Sequence, residues 1–326
     1  MTRVFSGIQP SGELHLGNYL GAIRNWVDMQ DETDGVYCIV DLHALTLPKE
    51  KGEVHDDTLR LSQLLLASGL DPDRCILFVQ SHVREHTECA WLMECTVSFG
   101  ELRRMVQFKD KSDRADFISA GLFTYPALQA ADILLYDTNE VPVGEDQRQH
   151  IEITRDIAER FNHRYGDTFV IPEAVIPEAG ARVMDLQHPE DKMSKSLDSP
   201  QGSVNMLDEA EVIAKKIKRA VTDTDNEVRY DVAAKPGVSN LLSILAASTG
   251  RDPEALADSY DQYGPLKTDT AEAVVELLRP IQARLRELES DPAETSRLLT
   301  VGADKAREIA STTLARAKDN IGLLER

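Results

Sequence analysis

The stretch Gly35-Val36-Tyr37-Cys38-Ile39-Val40-Asp41 decides the fold class, because its unbroken apolar run is typical of a strand buried on both faces of a parallel sheet. Residues 75–80 repeat this pattern, and residues 3–6 and 141–143 add shorter extended segments. Helical patterns lie between and after them, at residues 17–29, 58–68, 87–97, 125–135 and 146–162. This alternation predicts an α/β fold, with a Rossmann-like doubly wound parallel sheet and helices on both of its faces.

The sequence changes character after Pro200, where only helical patterns remain. They cover residues 208–220, 239–247, 253–260, 269–288 and 292–317. A chain of 326 residues is long enough for two domains. We therefore expect a sheet domain over residues 1–190 and a second, smaller all-helical domain over residues 200–290.

The composition excludes several classes of protein. A net charge of −20 argues against a general polyanion binder, since Lys and Arg must neutralise phosphates, although a local basic patch remains compatible with it. Four cysteines are too few for a disulfide framework in a chain this long. No apolar run reaches the ~18 residues that cross a membrane, and residues 1–7 lack a signal-peptide core. We expect a cytoplasmic protein without a membrane partner.

The first motif with chemical content is His15-Leu16-Gly17-Asn18, which lies where the first strand and turn lead into a helix. A helix N-terminus offers free N–H groups and the positive end of its dipole to anions. Gly17 lacks a Cβ, so that a flat base can lie on its backbone, and His15 and Asn18 can donate to phosphate oxygens. The alternative is a strand, turn and helix that are simply capped by polar residues.

The second motif is Asp191-Lys192-Met193-Ser194-Lys195-Ser196. Two ammonium groups three residues apart, with small hydroxyls between them, suit a loop that closes on polyphosphate. The alternative is a solvated cluster of charges in a linker. Neither G-x-G-x-x-G nor G-x-x-x-x-G-K-[ST] occurs, so that any nucleotide site must be built in another way.

Taken together, these two motifs resemble the signatures of the class I aminoacyl-tRNA synthetases. Residues 15–18 resemble His-Ile-Gly-His, with Asn18 in place of the last His, and residues 192–196 match Lys-Met-Ser-Lys-Ser in full. Further segments narrow the resemblance to the bacterial-type tryptophanyl-tRNA synthetases, at residues 5–12, 38–44, 121–132, 141–162 and 220–231. The resemblance implies a homodimeric enzyme that makes Trp-AMP from L-tryptophan and ATP and then charges tRNA(Trp).

The same resemblance assigns the domains and the nucleotide site. It makes residues 1–190 catalytic, gives residues 200–290 to the tRNA anticodon, and packs the C-terminal helix (292–326) back on the sheet domain. It implies catalytic roles for His15, Asn18, Lys111, Lys192 and Lys195. The implied ATP site comprises Gln9, Pro10, Ser11, Gly17, Asn18, Gly144, Glu145, Asp146, Val183, Lys192, Met193, Ser194, Lys195 and Ser196. Mg²⁺ is expected to arrive with ATP and to keep much of its water, without a dedicated protein metal site.

For tryptophan, the resemblance implies that Asp132 accepts the indole N–H, which is a donor-only group. Asp132 lies in an apolar stretch, which disfavours the alternatives of an N-cap or a surface carboxylate. Gln129 stands where the family pattern has Met, so that an amide replaces the apolar contact one helical turn before Ile133. The complete implied pocket comprises Phe5, Val40, His43, Tyr125, Gln129, Asp132, Val141, Val143 and Gln147.

Several other interpretations remain open from the sequence. The H-x-x-E-H pattern at residues 82–86 is typical of a zinc protease, but it directly follows a strand. The spacing of the four cysteines does not resemble an iron–sulfur motif. A tyrosyl-tRNA synthetase shares both signatures, and a catalytically silent paralogue that binds RNA is the alternative from another functional class.

Two segments are candidates for binding macromolecules. Residues 91–123 are apolar but interrupted by Arg103 and Arg104, and they are either a dimer interface or a covered face of the sheet domain. Residues 215–219 form the densest basic run, which is either a phosphate contact or a solvated helix face.

Overall fold

A computed structural model of the chain describes residues 1–10, 12–112, 117–144, 147–175, 182–194 and 200–324, with the backbone alone at residues 110–112. Within these residues, five parallel strands form one sheet in the order β3-β2-β1-β4-β5. The strands are β1 (Arg3–Ile8), β2 (Asp34–Ile39), β3 (Ile76–Val79), β4 (Glu140–Pro142) and β5 (Glu173–Val175). The first four confirm the predicted strands, whereas β5 was not predicted.

Fourteen α-helices occur in the described part of the chain. In the sheet region they are α1 (Leu16–Asn18), α2 (Arg24–Met29), α3 (Asp41–Ala44), α4 (Glu53–Ala67), α5 (Glu85–Glu94), α6 (Phe99–Arg104), α7 (Val106–Ser112), α8 (Ala120–Leu134) and α9 (Arg148–Tyr165). A π-helical turn (Tyr19–Ile23) joins α1 to α2, and a 3₁₀ turn (Gln80–His82) follows β3. After residue 200 the described chain is helical, with α10 (Ala210–Lys218), α11 (Pro236–Thr249), α12 (Pro253–Ala257), α13 (Tyr263–Ser290) and α14 (Pro292–Ile321).

The sheet is covered on both faces, as the doubly wound prediction requires. Side chains of β2 alternate between two apolar clusters, with Val36 and Cys38 in one and Tyr37 and Ile39 in the other. The cluster around Val36 and Cys38 takes residues from α5, α8, α9 and α14. The cluster around Tyr37 and Ile39 extends through α2 and α4 into the helical region. No described helix combines the length and the apolar composition that crossing a lipid bilayer requires.

The C-terminal helix α14 packs on the sheet region at its edge strand β3. Gly302 lies so close to this strand that a Cβ added to it would be 1.8 Å from the Leu77 carbonyl oxygen. Lys305 of the same helix donates through Nζ to the Pro72 carbonyl at 2.6 Å. The helix therefore approaches the strand at a distance that only glycine allows.

We expect Gly302→Ala to lower the free energy of unfolding by about 1–3 kcal/mol, because the obstacle is a backbone oxygen and the whole helix must shift. The matched control is Gly264→Ala, since a Cβ there meets nothing within 4 Å. It should be neutral or stabilise α13 by up to ~1 kcal/mol. Urea unfolding of both variants measures the difference, and an equally stable Gly302→Ala protein would contradict the close packing.

Candidate active site

The strand order reverses between β1 and β4, and ligands of open α/β sheets bind in the crevice beyond the carboxyl ends of the strands at such a point. Residues predicted for the nucleotide lie there. Gln9 and Pro10 directly follow β1, and Gly144 follows β4 by two residues. Gln147 is the N-cap of α9 and donates its backbone N–H to the Gly144 carbonyl at 2.9 Å. The sheet topology thus brings these separate segments to one edge.

His15 and Asn18 cap the first helix reciprocally. The Asn18 backbone N–H donates to His15 Nδ1 at 3.3 Å, and the His15 backbone N–H donates to Asn18 Oδ1 at 3.1 Å. The polar-cap alternative is therefore correct in geometry, but it does not exclude phosphate binding. Because Nδ1 accepts, the proton of a neutral His15 is on Nε2, and the Asn18 amide group points its Nδ2 donor away from the cap.

The two signature motifs contact each other across the fold. A Cβ added to Gly17 would lie 3.5 Å from Met193 Cβ, and the Met193 backbone N–H donates to the Val183 carbonyl at 3.1 Å. Val183 and Met193 are fully buried in the apolar cluster, whereas Lys192 is exposed and Ser194 is half-buried. Met193 therefore anchors the lysine-bearing loop beside the first helix.

Some predicted residues of the nucleotide site lie outside the described residues. These are Ser11, Glu145, Asp146, Lys195, Ser196 and the side chain of Lys111.

The predicted tryptophan pocket has apolar walls from three adjacent strands and α8. Phe5 of β1 and Val141 of β4 are buried, and Val40 and Val143, which follow β2 and β4, are half-buried. All four belong to the apolar cluster that includes α8. The structure therefore brings together the wall residues that the resemblance implied.

Asp132 is 1% exposed and accepts hydrogen bonds through both carboxylate oxygens. Its Oδ1 accepts from Gln80 Nε2 and from His86 Nδ1, each at 2.6 Å, and its Oδ2 accepts from His43 Nε2 at 2.8 Å. Burial alone would raise the pKa of Asp132, but the hydrogen bonds from His43 and His86 outweigh it and lower this pKa to about 2. Asp132 is thus a buried, ionised acceptor and neither an N-cap nor a surface carboxylate.

Three further residues of this network were not predicted as site residues. Gln80 is held by the Leu42 backbone N–H, which donates to its Oε1 at 3.1 Å. His86 also contacts Tyr136, with 2.7 Å between His86 Nε2 and the Tyr136 hydroxyl. A signal for Gln80 existed, since it directly follows a buried strand. In the sequence, His86 stands out only as part of H-x-x-E-H, but in the structure it is buried beside Asp132, whereas His82 is exposed.

The polar end of the predicted pocket contains Tyr125 and His150, whose Oη and Nε2 atoms are 2.7 Å apart. Burial raises the pKa of Tyr125 to about 12. The Tyr125 ring stands edge-on to His43, with 6.2 Å between centroids. The Gln129 side chain is half-buried and makes no hydrogen bond to another described residue.

The basic run at residues 215–219 contains one buried lysine and three exposed basic side chains. Lys216 is buried, and its Nζ donates to Asp208 Oδ2 at 2.7 Å and to the Ser203 carbonyl at 2.8 Å. Lys216 is thus a structural residue, whereas Lys215, Lys218 and Arg219 are exposed at the C-terminal end of α10.

Known proteins resemble this chain over almost its whole length. The family model described as tRNA synthetases class I (W and Y) matches residues 1–279. "Tryptophan--tRNA ligase 2" of Streptomyces avermitilis is 54% identical, over 99% of this chain and 97% of its own. The tryptophanyl-tRNA synthetase structure from Mycoplasma pneumoniae has a TM-score of 0.91 at 37% identity, over 99% and 98% of the two chains. That from Campylobacter jejuni, complexed with ADP and tryptophan, has a TM-score of 0.86 at 35% identity, over 99% and 100%.

Proposed function

The chain belongs to the class I tRNA synthetases for tryptophan and tyrosine and acts as a tryptophan–tRNA ligase, and we propose which of its residues perform each step. The observation that carries the assignment of the amino-acid pocket is the buried, ionised Asp132 beside apolar walls from β1, β2 and β4. An indole ring suits these walls, and its N–H requires an acceptor because it cannot accept in return. Asp132 supplies that acceptor.

In the activation step, the tryptophan carboxylate attacks the α-phosphorus of ATP, and pyrophosphate leaves. No covalent intermediate with the enzyme forms, so that catalysis consists of positioning and of stabilising negative charge. Tyr125 and Gln147 hold the amino acid's ammonium and carboxylate groups. His15 Nε2–H, the Asn18 amide and Lys192 donate to phosphate oxygens, together with the predicted Lys111 and Lys195.

Mg²⁺ is proposed to enter with ATP, neutralising the phosphate charge. The described residues at the switch point are donors such as His15, Asn18 and Lys192, which suit phosphate oxygens rather than a cation. No group of three His, Cys, Asp or Glu side chains that could hold a metal occurs within the described ranges. This chemistry fits an ion that is held by the nucleotide and water.

Pyrophosphate exchange into ATP tests the function directly. We expect exchange with L-tryptophan and none above background with L-tyrosine. Charging of tRNA(Trp) should follow when the tRNA is added. Exchange with L-tyrosine would support the tyrosyl alternative, and absence of any exchange would support a silent RNA-binding paralogue.

We propose that two copies of the chain associate through an apolar surface on α5, α6, α7 and the start of α8. Trp91, Phe99, Val106 and Phe117 are each more than half exposed there. The ring of Phe123 lies 5.1 Å from Phe99 and continues the apolar surface beneath it. Several large apolar side chains exposed within one segment of a soluble protein are typical of an interaction surface.

Introducing a charge into this surface should separate the subunits. We expect Phe99→Asp and Val106→Asp to weaken dimerisation by at least about thirtyfold, since each would bury a carboxylate without a partner in the apolar interface, at a cost of about 2 kcal/mol or more. Val232→Asp is the matched control, because Val232 is 64% exposed, compared with 56% for Val106, but lies outside the surface. Sedimentation velocity measures the outcome. A wild-type monomer, or equal dissociation of the control variant, would exclude this interface.

For tRNA, we propose that the helical region, residues 200–290, meets the anticodon and that the sheet region, residues 1–190, holds the acceptor end. The exposed Lys215, Lys218 and Arg219 are candidate phosphate contacts, and their replacement should weaken tRNA binding without affecting Trp-AMP formation. The proposed location of this translation enzyme is the cytoplasm.

A further inference from the structure

Asp132 is the outer end of a continuous chain of buried polar groups. His86 and Tyr136 are both fully buried, and together they extend the hydrogen bonds of Asp132 away from the pocket. Neither residue takes part in the activation step proposed above. A fully buried polar side chain destabilises the folded protein unless its hydrogen bonds are made. The stability of this site therefore depends on the hydrogen bonds of His86 and Tyr136.

The direction of each hydrogen bond follows from the ionised state of Asp132. A carboxylate accepts only, so that His86 Nδ1 must carry a proton and donate to Asp132 Oδ1. In a neutral imidazole, Nε2 is then an acceptor, and the Tyr136 hydroxyl donates to it. With this one arrangement of protons, Tyr136 donates to His86 and His86 donates to Asp132, so that both hydrogen bonds are made.

The aromatic rings of this chain are fixed by packing as well. Tyr136 stacks on Phe5 with 5.7 Å between centroids and an interplanar angle of 14°. Phe78 lies against both Tyr136 and His86, at centroid distances of 5.7 and 5.6 Å. Phe5 is a predicted wall of the tryptophan pocket. Tyr136 therefore contacts two parts of that pocket, the wall directly and the acceptor through His86.

We propose that His86 and Tyr136 are specificity-determining positioning residues, which hold the Asp132 carboxylate in the orientation that accepts the indole N–H. The inference rests on the proposed role of Asp132. His86 occupies Oδ1 together with Gln80, so that the carboxylate cannot rotate and Oδ2 stays directed toward His43 and the pocket. Without His86, one of the two donors that fix Oδ1 is lost.

A positioning role and a purely structural role predict different substrate dependences. The discriminating probe is an L-tryptophan analogue in which sulfur replaces the indole N–H, L-3-(benzothiophen-3-yl)alanine, because it keeps the ring shape but cannot donate. The selectivity is the ratio of kcat/KM for tryptophan to kcat/KM for this analogue, measured by pyrophosphate exchange. A loss of packing lowers both values together, whereas a misplaced acceptor lowers only the value for tryptophan.

Two variants of His86 distinguish the effect of losing its hydrogen-bond donor from the effect of changing its size. His86→Leu removes both ring nitrogens at similar size, and His86→Asn places an amide nitrogen near the position of Nδ1. Both variants leave the Tyr136 hydroxyl without its partner, so that they differ chiefly in the donor to Asp132. Tyr136→Phe keeps the ring stacked on Phe5 and removes only the hydroxyl, which makes it the variant least disturbing to folding.

We expect His86→Leu to lower the selectivity about tenfold. This is the smallest effect typically seen when a residue that hydrogen-bonds a metal ligand, and so orients it, is replaced. His86→Asn should restore most of it, Tyr136→Phe should lower it by roughly threefold, and the KM for ATP should not change. Equal losses for both substrates in His86→Leu, or unchanged selectivity in that variant, would overturn the proposal, and unchanged selectivity in Tyr136→Phe would overturn the role of Tyr136. If His86→Leu does not fold, His86→Asn and Tyr136→Phe decide.

The same measurements distinguish this inference from the proposed role of Asp132. If the wild-type enzyme does not prefer tryptophan to the sulfur analogue, or if Asp132→Asn retains that preference, the assignment of Asp132 itself is wrong. If both behave as proposed while His86→Leu keeps full selectivity, only the positioning role fails.

Discussion

Replacing Lys195 with Ala is expected to slow Trp-AMP formation by about 10²–10³-fold, while the KM for ATP changes far less. Negative charge accumulates on pyrophosphate only as its bond to the α-phosphorus breaks. A cation that contacts this charge chiefly at that point stabilises the transition state more than bound ATP. Its removal therefore lowers kcat rather than ground-state affinity.

The anchoring of Met193 supports the same expectation for its neighbour Lys192. Met193 is buried and paired with Val183, and the neighbouring Lys192 forms an isolated backbone bridge with Met184 while its side chain is exposed. Lys192→Ala should act in the same direction as Lys195→Ala, and the double variant should be less than additive, because one loop carries both charges.

Tryptophan-dependent pyrophosphate exchange measures this effect, and titration with tryptophan in the absence of ATP measures binding alone. Tryptophan carries no phosphate, so its affinity should be nearly unchanged in both lysine variants. Lys51→Ala is a suitable control, because Lys51 is exposed, lies just before α4 and belongs to neither signature motif. Full exchange activity in Lys195→Ala, or a loss of tryptophan affinity as large as the loss of rate, would exclude the proposed role.

The alternation of apolar runs and helical patterns predicted the sheet and its two covered faces, because burial on both sides leaves a direct trace in the sequence of β2. The edge strand β5 left no such trace. Glu173–Val175 is only three residues long, and none of its residues is fully buried. The short helices α6 and α7 were missed for a similar reason, since six or seven residues hold too few turns to display a period.

The site also contains residues that the sequence predicts and residues that it does not. Residues that lie in contiguous motifs, such as 15–18 and 192–196, could be found from the sequence. His86 and Tyr136 could not, because no motif or periodicity relates either residue to Asp132, and the position of Gln80 after a buried strand indicates only that it lies at the edge of the sheet. His86 is 46 residues from Asp132 along the chain, and Tyr136 is 50 residues from His86. Only the packing of α5 against α8 brings these residues together.

The charge of Asp132 should be constant over the working pH range. Burial opposes its ionisation, but hydrogen bonds from His43 and His86 outweigh burial and lower the pKa from 3.8 to about 2. A carboxylate with a lowered pKa stabilises the folded protein fully above its unfolded pKa and loses that contribution as the pH falls through the folded one. The contribution of Asp132 is thus complete above a pH of about 4 and is lost toward pH 2.

Replacing Asp132 should lower kcat/KM for tryptophan roughly 30- to 1,000-fold, which corresponds to a loss of about 2–4 kcal/mol of transition-state stabilisation. The reason is that a site built to accept a hydrogen bond discriminates strongly. In Asp132→Ala, the loss would include a folding defect, since Gln80, His43 and His86 would all lose their acceptor. Asp132→Asn keeps the volume but has a single acceptor oxygen for these donors and the indole N–H together. It is therefore the sharper variant.

Phenylalanine supplies the internal comparison for this variant, because it offers no N–H to the pocket and gains nothing from Asp132. Its kcat/KM should be nearly unchanged in Asp132→Asn, so that discrimination between tryptophan and phenylalanine shrinks by about the factor lost for tryptophan. Pyrophosphate exchange with each amino acid measures both values, and the urea midpoint of the variant separates folding from recognition. An unchanged kcat/KM for tryptophan in a folded Asp132→Asn enzyme would show that the indole N–H is bound elsewhere.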